Sequence, residues 1–242
     1  MTSVTEIPDV PDTGSMPAPP APPDADLDKA TQWANDYLGK LTARTNERLA
    51  QIARPNGSAS TNGQLKPAIG EPTVGPYVAF DVASTSPIQF TGLPPYQPSK
   101  VIAAGEAAFL VAFMWINPVP DPGHGFAVPP TVQLGGRGWR LTLDLADITA
   151  MTSTKMAEAG VYGAPAPFLS FAIFSLPTPD PGADAAVYEA NVTFDITDPG
   201  QPYAAFATNF FDVDDDPGFL FVPPAASQWR HELPNRYLVY HK

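Results

Sequence analysis

Hydrophobic and polar positions fall into three successive regimes along this chain. Residues 1–24 show no apolar period, and Met16-Pro17-Ala18-Pro19-Pro20-Ala21-Pro22-Pro23 is the kind of run that favours extended polyproline II. With so little to bury, the segment predicts a disordered Pro-rich tail, either solvated or serving as a docking peptide. From 25 to 54 the period becomes helical. Leu27, Ala30, Ala34, Leu38, Leu41, Thr45, Leu49 and Ile52 recur every three or four residues and predict one amphipathic helix, whose apolar stripe Trp33 and Tyr37 widen. Acidic Asp24, Asp26 and Asp28 at its start and basic Lys40, Arg44, Arg48 and Arg54 toward its end suit the helix dipole. Residues 55–75, rich in Gly, Ser, Asn and Pro, read as a linker.

Residues 76–242 change to period two and predict a β-sandwich domain of about ten strands, antiparallel, jelly-roll or Ig-like. The predicted strands are 77–82, 88–91, 107–116, 131–134, 139–145, 168–176, 186–196, 203–213, 219–222 and 236–240. Trp139, Leu141, Leu143 and Leu145 alternate with polar residues, so one face of that strand should be wet. Ala107 to Ile116 has no polar face and should be a central strand covered on both sides. In 186–196 the even positions should face inward. Asp-Pro-Gly begins at Asp121, Asp180, Asp198 and Asp216, where fixed proline φ, tolerant glycine and an aspartate that bonds backbone make turns. The less regular stretch 146–167 reads as a long connection with a short helix near 151–159, and Gly135-Gly136-Arg137-Gly138 as a hairpin loop.

Composition narrows the picture. The 31 prolines among 242 residues favour short strands over an α-rich architecture. A net charge of −12 opposes nucleic-acid phosphate and anionic lipid, so neither is an expected partner. There is no cysteine, which removes disulfides, thiolate metal sites and a cysteine nucleophile. The start of the chain lacks the basic flank and apolar core of a secretory signal, and no apolar run nears the roughly 20 residues that span a bilayer. The expectation is a cytoplasmic or particle-associated protein without membrane insertion.

Candidate chemistry is sparse. His124, His231 and His241 form no spaced ligand pair, and no nucleophile elbow, phosphate loop or dinucleotide fingerprint is present. No catalytic residue and no organic cofactor are therefore assigned. Asp212, Asp214, Asp215 and Asp216 crowd four carboxylates at a strand end, in a stretch from Met156 to Trp229 that holds no Lys or Arg. They read as a solvated acidic turn that discourages edge pairing, or as hard oxygen ligands for calcium. The aromatic and basic run Trp229 to Lys242 should close the sheet against the acidic stretch, within the chain or on a neighbouring copy.

The function expected is a non-catalytic structural or assembly component of a larger protein particle or filament, with self-association or a protein partner. Trp33, Tyr37, Leu38, Leu41, Leu49 and Ile52 on the helix stripe are the candidate interface; packing on the chain's own β domain is the competing use of the same stripe. The alternatives are a glycan-binding or adhesion module, calcium-dependent or not, and a hydrolase using dispersed carboxylates, for which the sequence shows no acid-base pair.

Overall fold

The computed structural model describes residues 23–53, 80–120, 127–182, 184–197, 203–206, 208–210 and 235–241. The protein is mostly β, with one long N-terminal helix, α1 (Asp24–Ala53), and two sheets. The strands are β1 (Phe80–Thr85), β2 (Ile88–Gln89), β3 (Val101–Ala103), β4 (Ala108–Ile116), β5 (Gly138–Asp147), β6 (Thr152–Val161), β7 (Leu169–Leu176), β8 (Ala186–Ile196), β9 (Tyr203–Phe206), β10 (Thr208–Phe210) and β11 (Asn235–Tyr240). A four-residue helix, α2 (Pro130–Gln133), stands before β5. The first sheet has β4 at its centre, flanked by β1 and β2 on one side and β7 on the other, with β10 beyond β1; the second runs β3-β11-β8-β5-β6, with β9 also on β8.

The layering follows from strand parity. In β4, Leu110, Ala112, Met114 and Ile116 face the second sheet, while Phe109, Val111, Phe113 and Trp115 face the helix. All nine β4 residues are buried, because both faces of the strand are covered. Leu141, Leu143 and Leu145 of β5 and the even positions of β8 fill the space between the sheets. The alternation expected for these strands is therefore observed.

On the other side of the first sheet, Ala30, Ala34, Tyr37, Leu41 and Thr45 of α1 are buried. Their spacing of three or four residues gives one helix face, and small Ala30 and Ala34 let the backbone approach the strands. The Tyr37 ring meets Phe113 at 5.2 Å and stacks on Trp33 at 5.4 Å. The Trp33 indole donates to the Tyr96 carbonyl at 3.2 Å.

β1 and β2 are one strand interrupted by a bulge. Ser84 lies opposite Ala112 and Ile88 opposite Phe109, so four steps on one strand match three on β4. The Val111 N–H, which the bulge leaves without a backbone carbonyl, donates to Thr85 Oγ1 at 3.1 Å. Pro87, which has no N–H to contribute, sits in the gap. Parity inverts across it: Phe80 and Val82 face the second sheet, whereas Ile88 and Phe90 face the helix.

Several expectations are corrected. Residues 131–134 do not form a strand: Pro130 occupies the first turn of α2, where its missing N–H costs nothing, and the Leu134 N–H returns to the Pro130 carbonyl. Residues 151–159 belong to β6 and not to a helix, because ten consecutive pairs with β5 override the helical preference of Lys155 to Ala159. Gly135 to Gly138 follow α2 and carry the chain into β5, with Gly136 at φ 76°, instead of closing a hairpin. Pairing is not wholly antiparallel, since β1–β10 and β3–β11 run parallel. The predicted strand 203–213 appears as β9 in the second sheet and β10 in the first. Residues 1–22, the linker 55–75, the acidic turn with Asp212, Asp214, Asp215 and Asp216, and the predicted strand 219–222 lie outside the described residues. Of the four Asp-Pro-Gly turns, the one at Asp180 is described; Gly182 has φ 74° and donates to Asp180 Oδ1 at 2.9 Å.

Candidate functional site

The helix residues singled out from sequence are brought together, on the chain's own first sheet. Tyr37 and Leu41 are buried there, with Trp33 and Leu38 packed at the margin. Another chain docking on this stretch would have to displace the helix from β4 and β7. The side chains of Leu49 and Ile52 lie outside the described residues, as do the four candidate calcium ligands. Among the described residues no group of three or more His, Asp or Glu is gathered so as to hold a metal ion, and no helix is long and apolar enough to cross a membrane.

Between the sheets lies a polar seam that sequence reasoning missed. The pairings of β5, β8 and β11 align Asp147, Tyr188 and Tyr237 in one row. The two tyrosine rings stack at 5.3 Å, and both are buried. Burial, with the Asp147 charge adding to it, raises both phenols above their ordinary range, so they remain neutral at physiological pH. Tyr188 lies close enough to feel the Asp147 carboxylate, yet neither phenol oxygen makes a well-formed hydrogen bond. Asp147 accepts the Ala150 N–H at 2.9 Å. Two residues before Tyr237, Asn235 donates to the Thr85 carbonyl of the first sheet at 2.8 Å and ties the sheets at the bulge. Neutral phenols sealed in a core are hydrogen-bonding groups and not nucleophiles.

The solvent side of the second sheet is different. Arg140–Asp195 at 3.3 Å, Lys155–Asp144 at 3.0 Å and Arg236–Glu189 at 3.0 Å pair the charges across neighbouring strands. The basic C-terminal run thus meets the acidic stretch within the chain, at Arg236 and again where His241 lies 3.0 Å from Asp180. Beside these pairs runs an apolar row. Leu238 stands opposite Val101 on β3 and opposite Val187 on β8, and the Ile148 N–H donates to the Val187 carbonyl. Tyr188, Tyr237, Val239 and Ile102 take the inward positions, which leaves this row on the outer face. Val101 is 55% exposed and Ile148 46%, with Tyr240 at 39% and Met151 at 74% nearby. Contiguous apolar surface of this kind marks contact sites more often than scattered single residues do.

No local window of sequence assembles that row, because its members come from β3, the end of β5, β8 and β11. One signal was available: Val187 shares the outward positions of β8 with Glu189 and Asn191.

No family model and no curated protein matches the chain. Among solved structures it is similar to the CARDB domain of a Pyrococcus furiosus protein in complex with di-metal ions, at 10% identity and TM-score 0.29, over 55% of this chain and 90% of that one. It is similar also to a β-glucosidase from Listeria innocua in complex with glucose, at 12% identity and TM-score 0.27, over 54% of this chain and 16% of that one. A family 123 glycoside hydrolase from Clostridium perfringens gives 10% identity and TM-score 0.29, over 55% and 28%. The match thus spans only a minor part of either hydrolase.

Proposed function

We propose that this chain is a non-catalytic structural module of Ig-like connectivity that assembles through protein contact. The observation that carries the reading is the aliphatic row Val101-Leu238-Val187-Ile148, exposed at its two ends and half-buried at Leu238 and Val187, on an outer sheet face whose charges are already paired with one another. A surface that binds phosphate or a cation would offer unpaired charge; this one offers desolvation of branched side chains in a rim of neutralised ion pairs.

Sheet order supports Ig-like connectivity over a jelly roll. Counting β1 with β2 as one strand and setting aside the short β3, β9 and β10, the first sheet holds the first, second and fifth strands. The other holds the fourth, third, sixth and seventh, a division that differs from that of a constant-type immunoglobulin sandwich only in the sheet to which the fourth strand belongs. Such modules serve many ends, so it is the surface and not the architecture that favours assembly.

The test is Val101→Asp with Leu238→Asp in the full chain. Two carboxylates placed in a contact surface should abolish association with a partner or with itself, measured by sedimentation. The melting temperature should move by no more than a few degrees, since both positions are at least partly solvated. Unchanged association in a folded double variant refutes the reading.

A further inference from the structure

The geometry points to a second copy of this chain as the partner, docked face to face on the second sheet about a two-fold axis that runs parallel to the strands between β8 and β11. This inference rests on the assembly reading and adds the occupant and the symmetry. The order β3-β11-β8-β5 places Val101, Leu238, Val187 and Ile148 at successive positions across the sheet, about 4.8 Å apart. A two-fold axis between the middle strands exchanges β11 with β8 and β3 with β5. Leu238 then lies over Val187 of the second copy, and Val101 over its Ile148. The row is self-complementary in shape class, branched aliphatic on branched aliphatic at each of its four positions.

The next row supplies the charge match. Arg236 stands opposite Glu189 within one chain. The same axis brings Arg236 of each copy over Glu189 of the other, so two intermolecular pairs of opposite charge form together. The Arg236 side chain is 65% exposed, so its guanidinium can meet a carboxylate of the second copy while holding Glu189 of its own chain. An isologous interface requires this kind of reciprocity, and aligned sheet packing at a distance of about 10 Å accommodates it. A chain of net charge −12 repels its own copies in general, but on this face the carboxylates of Glu189, Asp195 and Asp144 are all paired. A strongly basic partner would find no uncompensated charge among them. The outer face of the first sheet is not available in this way, because α1 covers it.

The experiment uses sedimentation of the full-length chain with two charge reversals, Arg236→Glu and Glu189→Arg. Each alone places like charges over one another twice in the homodimer and should weaken association by about tenfold or more. An equimolar mixture of the two variants restores both opposite pairs and should recover a heterodimer close to wild-type strength. Both changes lie on the outer face of the sheet, and a thermal melt of each variant checks that the fold is kept. A wild-type chain that remains monomeric at high concentration overturns the two-fold proposal, as does a mixture that fails to recover. The broader reading is judged separately: if the wild type is monomeric but Leu238→Asp still releases a partner from its native source, assembly stands without the symmetry. If Leu238→Asp changes neither, both fall.

Discussion

Asp81 on β1 is the ionisable residue with the plainest consequence for stability. It accepts the Val82 N–H at 2.8 Å, but burial dominates and pushes its carboxyl up to about 7. The folded state therefore holds a proton that the unfolded chain releases near pH 4. Stability from this group is fully present below that lower value and is lost as pH rises through about 7. Asp81→Asn should flatten the pH dependence of stability between about pH 4 and 7 and raise stability at pH 8 by an amount on the order of a few kcal/mol, seen as a higher melting temperature. Equal slopes in parent and variant would refute the assignment. Gly160 on β6 is constrained in a different way: a Cβ there would lie 2.8 Å from the Trp139 ring of the paired strand. Gly160→Val should cost about 1–3 kcal/mol, seen as a lower denaturation midpoint, because the indole must leave its place beside Tyr162. Neither residue announces itself in the sequence. Asp81 has the alternation of an ordinary half-wet strand, and Gly160 sits among small residues that read as a loop.

Among the elements, α1 shows how burial divides a stripe. Leu41 is fully buried against the first sheet, whereas Leu27 on the same predicted stripe is 39% exposed. Leu41→Ala should therefore destabilise by about 2–4 kcal/mol in a denaturant titration, and Leu27→Ala by well under 1. Equal effects would mean that the helix is not docked as described. The helix, β4, β5 and β8 were legible because each is long and has a period that matches its surroundings. The strand β6 was not, because it lies at the edge of its sheet and none of its residues is fully buried, so the half-burial of Thr152, Thr154 and Met156 between exposed neighbours leaves no apolar–polar alternation in the sequence. α2 was misread because four residues are too few to show a period, and β3 was missed at three. The candidate helix interface was legible as an apolar stripe, but the sequence could not choose between another chain and its own sheet as the cover. The outer row was illegible because only strand pairing brings residues 101, 148, 187 and 238 together.

At the scale of the molecule, three layers result: helix, first sheet, second sheet, each pair with its own apolar filling. The two sheets are joined at the bulge by a polar contact. Thr85 is buried, and its carbonyl takes the Asn235 amide as a cross-sheet donor. Asn235→Ala strands that carbonyl and should cost about 1–3 kcal/mol, measured by thermal melt. Asn235→Asp should not rescue it, because the replacement has no amide to donate; rescue would show that the contact contributes little. The proposed association surface lies on the far side of the second sheet from α1, so substitutions in the Leu238 row and at Leu41 should act additively.

The extra residue at the bulge also fixes where this chain can change length. Before the gap even-numbered positions face the second sheet, and after it they face the helix. Removing Ser86 alone would match three steps from Ser84 to Ile88 with the three from Ala112 to Phe109, so Ile88 and Phe90 would keep the helix side and Gln89, which bonds Ala103 through both ends of its amide, would keep its place. A second deletion beside the first would place Ile88 opposite Leu110 and turn the downstream residues to the wrong sides. Shortening at this point is therefore governed by odd and even number, with the single-residue loss tolerated and the paired loss harmful, unlike the gradual penalty that an exposed loop exacts.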